Sequence, residues 1–159
     1  MIGRIVAPLA LALAAAFFGI ALYINMAEQP ARLALADGPM LTAWAISFKV
    51  GFVLQGSVTI AAGLAGLAAF WFTRDWRWLA GGLCMLANWP WTLIVIAPIN
   101  AALLAAAPEA AGAATRALVE QWGVVHGART AFAAAAVVLF VAALAAPRAY
   151  RGYSTIDKH

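Results

Sequence analysis

The chain has 159 residues, of which 66% are hydrophobic and only 10% charged, and it carries a net charge of +4 at pH 7. A soluble domain has about a quarter of its residues charged, so this composition excludes an ordinary aqueous fold and points to a bilayer. The basic residues are scattered over loops and tails, which excludes a nucleic-acid-binding stripe. The single cysteine, Cys84, excludes an intrachain disulfide and a Cys-x-x-Cys metal or redox site.

Four apolar blocks follow one another, from Ile5 to Ala27, Val50 to Phe72, Leu79 to Pro98 and Val124 to Ala146. Each reaches the ~20 residues that a helix needs to cross a bilayer. They are rich in Ala, Leu and Gly without strand-like alternation, which favours helices. The expected fold is all-α: one integral membrane four-helix bundle over residues 1–159, with a polar tail at 147–159. Arg4 before the first block also suits a signal peptide, but the apolar run continues to Ala27, which favours a retained first span.

The connections have their own signals. The stretch "EQPARLALADGPM" (28–40) holds Pro30 and an Asp-Gly-Pro turn, which predicts an irregular first outer loop over 28–43. The stretch "TRDWRW" (73–78) predicts a tight inner turn with tryptophans at the headgroup level. Helix formers after Pro108 predict a short surface helix before the fourth span. Arg4, Arg74, Arg77, Arg148, Arg151 and Lys158 fall on one side of such a bundle, and Arg32 and Arg116 on the other. The positive-inside rule then predicts a cytoplasmic (bacterial inner) membrane protein with both termini cytoplasmic. Gly56, Gly63, Gly66, Gly81 and Gly82 read as helix-packing positions. Such small-residue faces leave homo-oligomer formation open.

The polar groups of the spans converge at one depth. Asn25 and Glu28 end the first span, Lys49 precedes the second, Thr92 and Asn100 lie in or just past the third, and Trp122, His126 and Arg129 open the fourth. Trp122, His126 and Arg129 are spaced i, i+4, i+7 and share one helical stripe. Ionisable residues within spans usually face the bundle interior and mark function. Headgroup anchoring remains the plainer reading for Lys49 and Arg129, and a structural role remains open for His126.

The stretch "NWPWTLIVIAPIN" (88–100) bears on the same point. Pro90 cannot donate to the carbonyl of Leu86, nor Pro98 to that of Ile94. Spanning helices tolerate such breaks where neighbouring groups satisfy the freed carbonyls. The stretch predicts a kinked third helix that opens the outer half of the bundle. The expected pocket is lined by Glu28, Lys49, Asn100, His126 and Arg129.

Three stretches carry a family likeness: "YINMAEQPAR" (23–32), "NWPWTLIVIAPINAALL" (88–104) and "WGVVHGART" (122–130). The chain resembles the anthrone oxygenase-like family of small four-span membrane proteins. The family's Pro-aromatic-Thr and Pro-x-Asn pattern maps onto Pro90, Trp91, Thr92, Pro98 and Asn100. Its Trp…His-x-x-Arg pattern maps onto Trp122, His126 and Arg129, and its Glu-x-Pro-Ala-Arg onto Glu28, Pro30 and Arg32. Trp91 is a departure, since tyrosine is common there. Characterised members oxidise anthrones to anthraquinones, so the resemblance implies an apolar aromatic substrate, anthrone-like or quinol-like, and an oxidoreductase activity.

Such a reaction needs a base near neutral pKa and a cation for the developing oxyanion. His126 is the candidate base, with Arg129 and Glu28 beside it as candidate catalytic groups. Lys49, Asn100, Thr92, Asn25 and Trp122 are the candidate substrate-binding residues. No organic cofactor motif is present. Glu28 and His126 could offer two ligands to a metal, but a catalytic metal site typically takes about three protein ligands, so no metal is assigned. The alternative is a non-enzymatic carrier, binding an anion through Lys49 and Arg129, or an accessory subunit of a larger membrane complex.

Overall fold

The computed structural model describes residues 3–146, and these form a four-helix bundle. Helix α1 starts at Gly3 and spans Ile5–Leu33, α2 spans Asp37–Thr73, α3 spans Trp76–Ala105 and α4 spans Ala113–Ala145. All four are long and apolar enough to cross a membrane. Each packs against its neighbours in chain order, and α4 closes the ring on α1. The predicted tail, with Arg148, Arg151 and Lys158, lies outside the described residues, as does the side chain of Arg4.

The helices run further than the apolar blocks suggest. The first connection is only Ala34–Ala36, because the chain stays helical through Pro30 and restarts at Asp37. Pro39 sits in the first turn of α2, where a missing N–H breaks no bond. The expected irregular loop over 28–43 is therefore mostly helix. The predicted surface helix after Pro108 is likewise corrected. Pro108–Ala110 is a single 3-10 turn, and the helix formers beyond it are the opening turns of α4 itself.

Arg116 on α4 ties this end together. Its guanidinium donates to the Leu33 and Leu35 carbonyls at 2.8 and 2.7 Å and pairs with Asp37 at 2.7 Å. At the other end the tight turn is as expected. Arg74 takes a left-handed conformation and Asp75 caps α3 through the Arg77 N–H. Of its two tryptophans, Trp76 is exposed, but Trp78 is buried and stacks on Phe140 at 4.9 Å. Trp78 is thus a core residue, not a headgroup anchor.

Small residues set the helix spacing near the α2–α3 turn. A Cβ on Gly82 would lie 3.0 Å from the Gly63 carbonyl oxygen and 3.2 Å from the Leu67 nitrogen. Only glycine lets α2 and α3 approach this closely. These glycines are therefore used within the chain. The core has two apolar parts. The one toward the α2–α3 turn is mostly alanine with Phe17, Met85, Trp78 and Phe140, and the one toward the α1–α2 connection holds Met40, Trp44, Ile96, Leu103 and Trp122. Between them lies a buried polar layer that includes Gln55, Thr59, Asn88, Thr92, His126 and Arg129.

The breaks in α1 and α3 are of one kind. Both helices widen for five residues into a π turn, over Ile24–Glu28 and over Thr92–Ile96. The Gln29 N–H reaches back to the Ile24 carbonyl, and the Ala97 N–H to that of Thr92. In each helix a proline follows at once, Pro30 or Pro98. A proline ring collides with the carbonyl four residues back, and a wider turn ahead of it relieves that collision. The break predicted in α3 is thus present as a π turn, and α1 carries the same device at Pro30. In an α-helix, residues i, i+4 and i+8 drift by about 40° per step. The wider turn removes part of that drift. It leaves Ile24, Glu28 and Arg32 on one face of α1, and Thr92, Ile96 and Asn100 on one face of α3. All six line the same cavity.

Candidate functional site

The cavity has a volume of about 350 Å³ and lies in the half of the bundle that holds both π turns. Of the predicted site residues, Glu28, Thr92, Asn100, Trp122, His126 and Arg129 line it. Lys49 does not. It is exposed on α2, because the cavity face of that helix runs through Trp44, Phe48, Gly51 and Gln55. Asn25 does not line it either, but reaches His126 from behind.

His126 is 1% exposed, and its position is fixed from two sides. Trp122, one turn earlier on α4, stacks on the imidazole with ring centroids 4.8 Å apart. The Trp122 indole N–H donates to Asn100 Oδ1 at 2.9 Å, tying α4 to α3. On the other side Asn25 settles the tautomer. Its Nδ2 donates to the Gly123 carbonyl at 3.1 Å, so its Oδ1 faces His126 Nδ1 at 2.8 Å. An amide oxygen can only accept. In the neutral imidazole Nδ1 therefore carries the hydrogen, and Nε2 keeps its lone pair. No described residue hydrogen-bonds Nε2.

Arg129, one turn beyond His126, is the group without a counter-charge. It is 8% exposed, and it makes no ion pair or hydrogen bond with any described residue. Its guanidinium lies over the Phe17 ring at 5.3 Å. A buried cation normally has a partner, and this one faces a cavity instead.

Glu28, expected beside His126 and Arg129, forms no hydrogen bond or ion pair with either. It pairs with Arg32 on the same helix. Arg32 belongs to no outer loop. It is 3% exposed, lines the cavity, and donates to Gln29 Oε1 at 2.6 Å and to Ser47 Oγ at 2.8 Å. Gln29 in turn donates to the Val119 carbonyl at 2.7 Å across α4. Arg32, Gln29, Ser47, Gln55 and Trp44 were not expected among the site residues. The signal for Arg32 was its i+4 spacing from Glu28. Trp91, at the family's aromatic position, faces α4 through the Val125 carbonyl and does not line the cavity. Its departure from tyrosine therefore falls outside the cavity wall.

The remaining walls are aromatic and aliphatic. Phe48 stacks on Trp44 at 5.0 Å, and Trp44 meets Trp122 edge-on at 6.1 Å. Among the described residues, no three His, Cys, Asp or Glu side chains come together to hold a metal ion. The cavity thus brings an aromatic wall together with one imidazole and one guanidinium that has no partner among the described residues.

The family model described as anthrone oxygenase matches residues 44–139. That stretch covers most of α2, all of α3 and α4 as far as Leu139.

The chain belongs to the anthrone oxygenase family.

No curated protein and no solved structure matches it at a significant level. The family match takes in Thr92, Asn100, Trp122, His126 and Arg129, whereas Asn25, Glu28 and Arg32 on α1 lie ahead of it.

Proposed function

We propose that this anthrone oxygenase family protein is a membrane oxygenase, and that it converts an anthrone-like aromatic ketone into the quinone with dioxygen. The observation that carries this reading is one cavity holding an imidazole, its Nδ1 facing the Asn25 amide oxygen, together with an arginine that has no carboxylate partner among the described residues. The family match supports an oxygenase-like reaction class.

The chemistry follows from those two groups. The ring methylene of an anthrone is acidic because its anion is an aromatic enolate. Nε2 of His126 accepts the first methylene proton as general base. Arg129 holds the enolate oxygen, in a site where water is scarce and electrostatic stabilisation is strong. The electron-rich ring carbon then bonds to dioxygen, which is reduced to a hydroperoxide as carbon is oxidised. The second methylene proton leaves, the O–O bond breaks, and hydroxide departs as water while the new C=O forms. One anthrone and one dioxygen give one anthraquinone and one water, with no further reductant. Asn100 and Thr92 supply neutral polar contacts, and Trp44, Phe48 and Trp122 pack against the ring system.

Both termini are cytoplasmic in this reading, and the cavity lies toward the outer face of an inner membrane. A carrier acting through Lys49 and Arg129 has less support, because those two side chains do not share the cavity. The test uses purified protein in nanodiscs, an anthrone and isotopically labelled dioxygen. One labelled atom should appear in the quinone and the other in water. Protein-dependent quinone carrying unlabelled oxygen would overturn the reading.

A further inference from the structure

The cavity is walled unevenly. Every lining residue from α3 and α4 is buried: Thr92, Ile96, Asn100, Trp122, His126 and Arg129. The lining residues that reach the surface all come from α1 and α2, with Tyr23, Val50 and Phe52 the most exposed. The mouth therefore lies along the seam between α1 and α2, on the side of the bundle.

The rim of that mouth is largely apolar. The most exposed lining side chains are the tyrosine ring of Tyr23 on α1 and Val50 and Phe52 on α2. Glu28, 27% exposed and paired with Arg32, is the charged side chain among those that reach the surface. An opening onto water would be rimmed by polar groups. Apart from the paired Glu28, this rim matches hydrocarbon.

Gly51 is the decisive residue. It lines the cavity between Val50 and Phe52, yet a Cβ built on it meets no atom within 4 Å. It is not needed for close helix packing, unlike Gly82. A glycine inside a helix costs about 0.5–1 kcal/mol relative to alanine, and here the cost maintains an open slot. At the far end of that slot lies the unpaired Arg129.

We propose that the cavity is loaded sideways from the hydrocarbon phase through the α1–α2 slot at Gly51, by a neutral hydroxy-aromatic molecule that becomes an anion only when its oxygen reaches Arg129. This deepens the proposed function and rests on it for the identity of the site. A charged oxygen is costly within the bilayer, so the ligand crosses the slot uncharged and ionises only at the guanidinium. A passage residue and a binding residue leave different kinetic signatures. Narrowing a passage slows entry and exit alike, whereas removing a binding contact speeds exit.

The test follows the binding of danthron, a planar dihydroxyanthraquinone, to the protein in liposomes. The readout is quenching of tryptophan fluorescence, since Trp44 and Trp122 line the cavity. Gly51→Phe should slow association and release together, each by about tenfold, as expected of a narrowed gate, with the affinity little changed. Gly51→Ala adds one methyl to the slot and should slow both rates in the same direction, by less than Gly51→Phe. Gly19→Phe controls for bulk on the lipid face. Gly19 is exposed, its Cβ would also meet nothing, and it does not line the cavity. Association rates that are equal for the unsubstituted and Gly51→Phe proteins would overturn the sideways route. So would a Gly51→Phe protein that binds more weakly through faster release alone. Arg129→Gln reports on the site itself and should speed release. If it leaves release unchanged while Gly51→Phe slows both rates, the route stands and the anion-holding role of Arg129 falls.

Discussion

Removing the Asn25 side chain should damage turnover far more than folding. Asn25 makes three hydrogen bonds: to the Gly123 carbonyl, with His126 Nδ1, and from the Thr130 hydroxyl at 3.2 Å. Two of these have substitutes in Asn25→Ala. The Gly123 carbonyl remains in the α4 backbone ladder, and the Thr130 hydroxyl can turn to the carbonyl one turn back. His126 Nδ1 has no replacement acceptor among the described residues. Leaving a buried donor unpaired costs about 1–3 kcal/mol. If that energy goes into turning the ring or moving its proton to Nε2, the productive base is depleted by roughly ten- to a hundredfold. The assay is anthraquinone formation in nanodiscs, alongside nitrogen NMR of labelled histidine in a His159→Ala background. The unsubstituted protein should show hydrogen on Nδ1, and Asn25→Ala should lose that preference together with its rate. An unsubstituted protein with hydrogen on Nε2 would refute the reasoning, as would an Asn25→Ala variant of full activity.

Arg32→Leu removes the buried partner of a half-buried pair and leaves the Gln29 and Ser47 contacts unmade, so it should destabilise the bundle by about 1–3 kcal/mol, measured by thermal unfolding in detergent. The double variant with Glu28→Leu should recover part of that loss, and no recovery would argue against the pairing. Pro98→Ala restores a donor toward the Ile94 carbonyl and should let the π turn relax toward α-helix. The protein should fold, but Asn100 should rotate off the cavity face and danthron should bind more weakly; unchanged affinity would detach the π turn from the site. Gly82→Val places side-chain atoms against the Gly63 carbonyl and should cost about 1–3 kcal/mol of stability. In intact cells, a cysteine at position 110 in a Cys84→Ala background should label from outside, while tags at both termini stay protected. Labelling from the cytoplasmic side would invert the proposed topology.

The helical bundle was legible in the sequence because four long apolar blocks leave a membrane few alternatives. The shared depth of His126, Arg129, Asn100 and Glu28 was legible too, since counting along antiparallel spans fixes depth. The errors came from rotation about the helix axis and from the prolines. Lys49 has the right depth but the wrong face, about 140° around α2 from Trp44. Phasing that helix from Trp44, Phe48 and Gln55 would have excluded Lys49. Arg32 was assigned to a loop because Pro30 reads as a helix breaker. A π turn lets the helix continue, and nothing local distinguishes a proline that ends a helix from one that follows a widened turn. The matching spacing did carry a hint, since Ile24, Glu28, Pro30 and Arg32 stand as Thr92, Ile96, Pro98 and Asn100 do. The role of Asn25 was not legible. Its partner is 101 residues away, and its orientation depends on the Gly123 carbonyl.

The central claim is that His126 Nε2 takes a proton from an enolisable aromatic held at Arg129. Its most direct test compares oxygen-dependent anthrone oxidation by the unsubstituted protein and by His126→Gln, both in nanodiscs and both corrected for protein-free autoxidation. Glutamine keeps polarity and approximate size but cannot act as a base near neutral pH. The account predicts that His126→Gln stays folded, still binds danthron, and turns over about 10²–10⁴-fold more slowly, the usual contribution of general acid–base catalysis. A His126→Gln protein that oxidises anthrone at the unsubstituted rate would contradict it, as would an unsubstituted protein no faster than autoxidation.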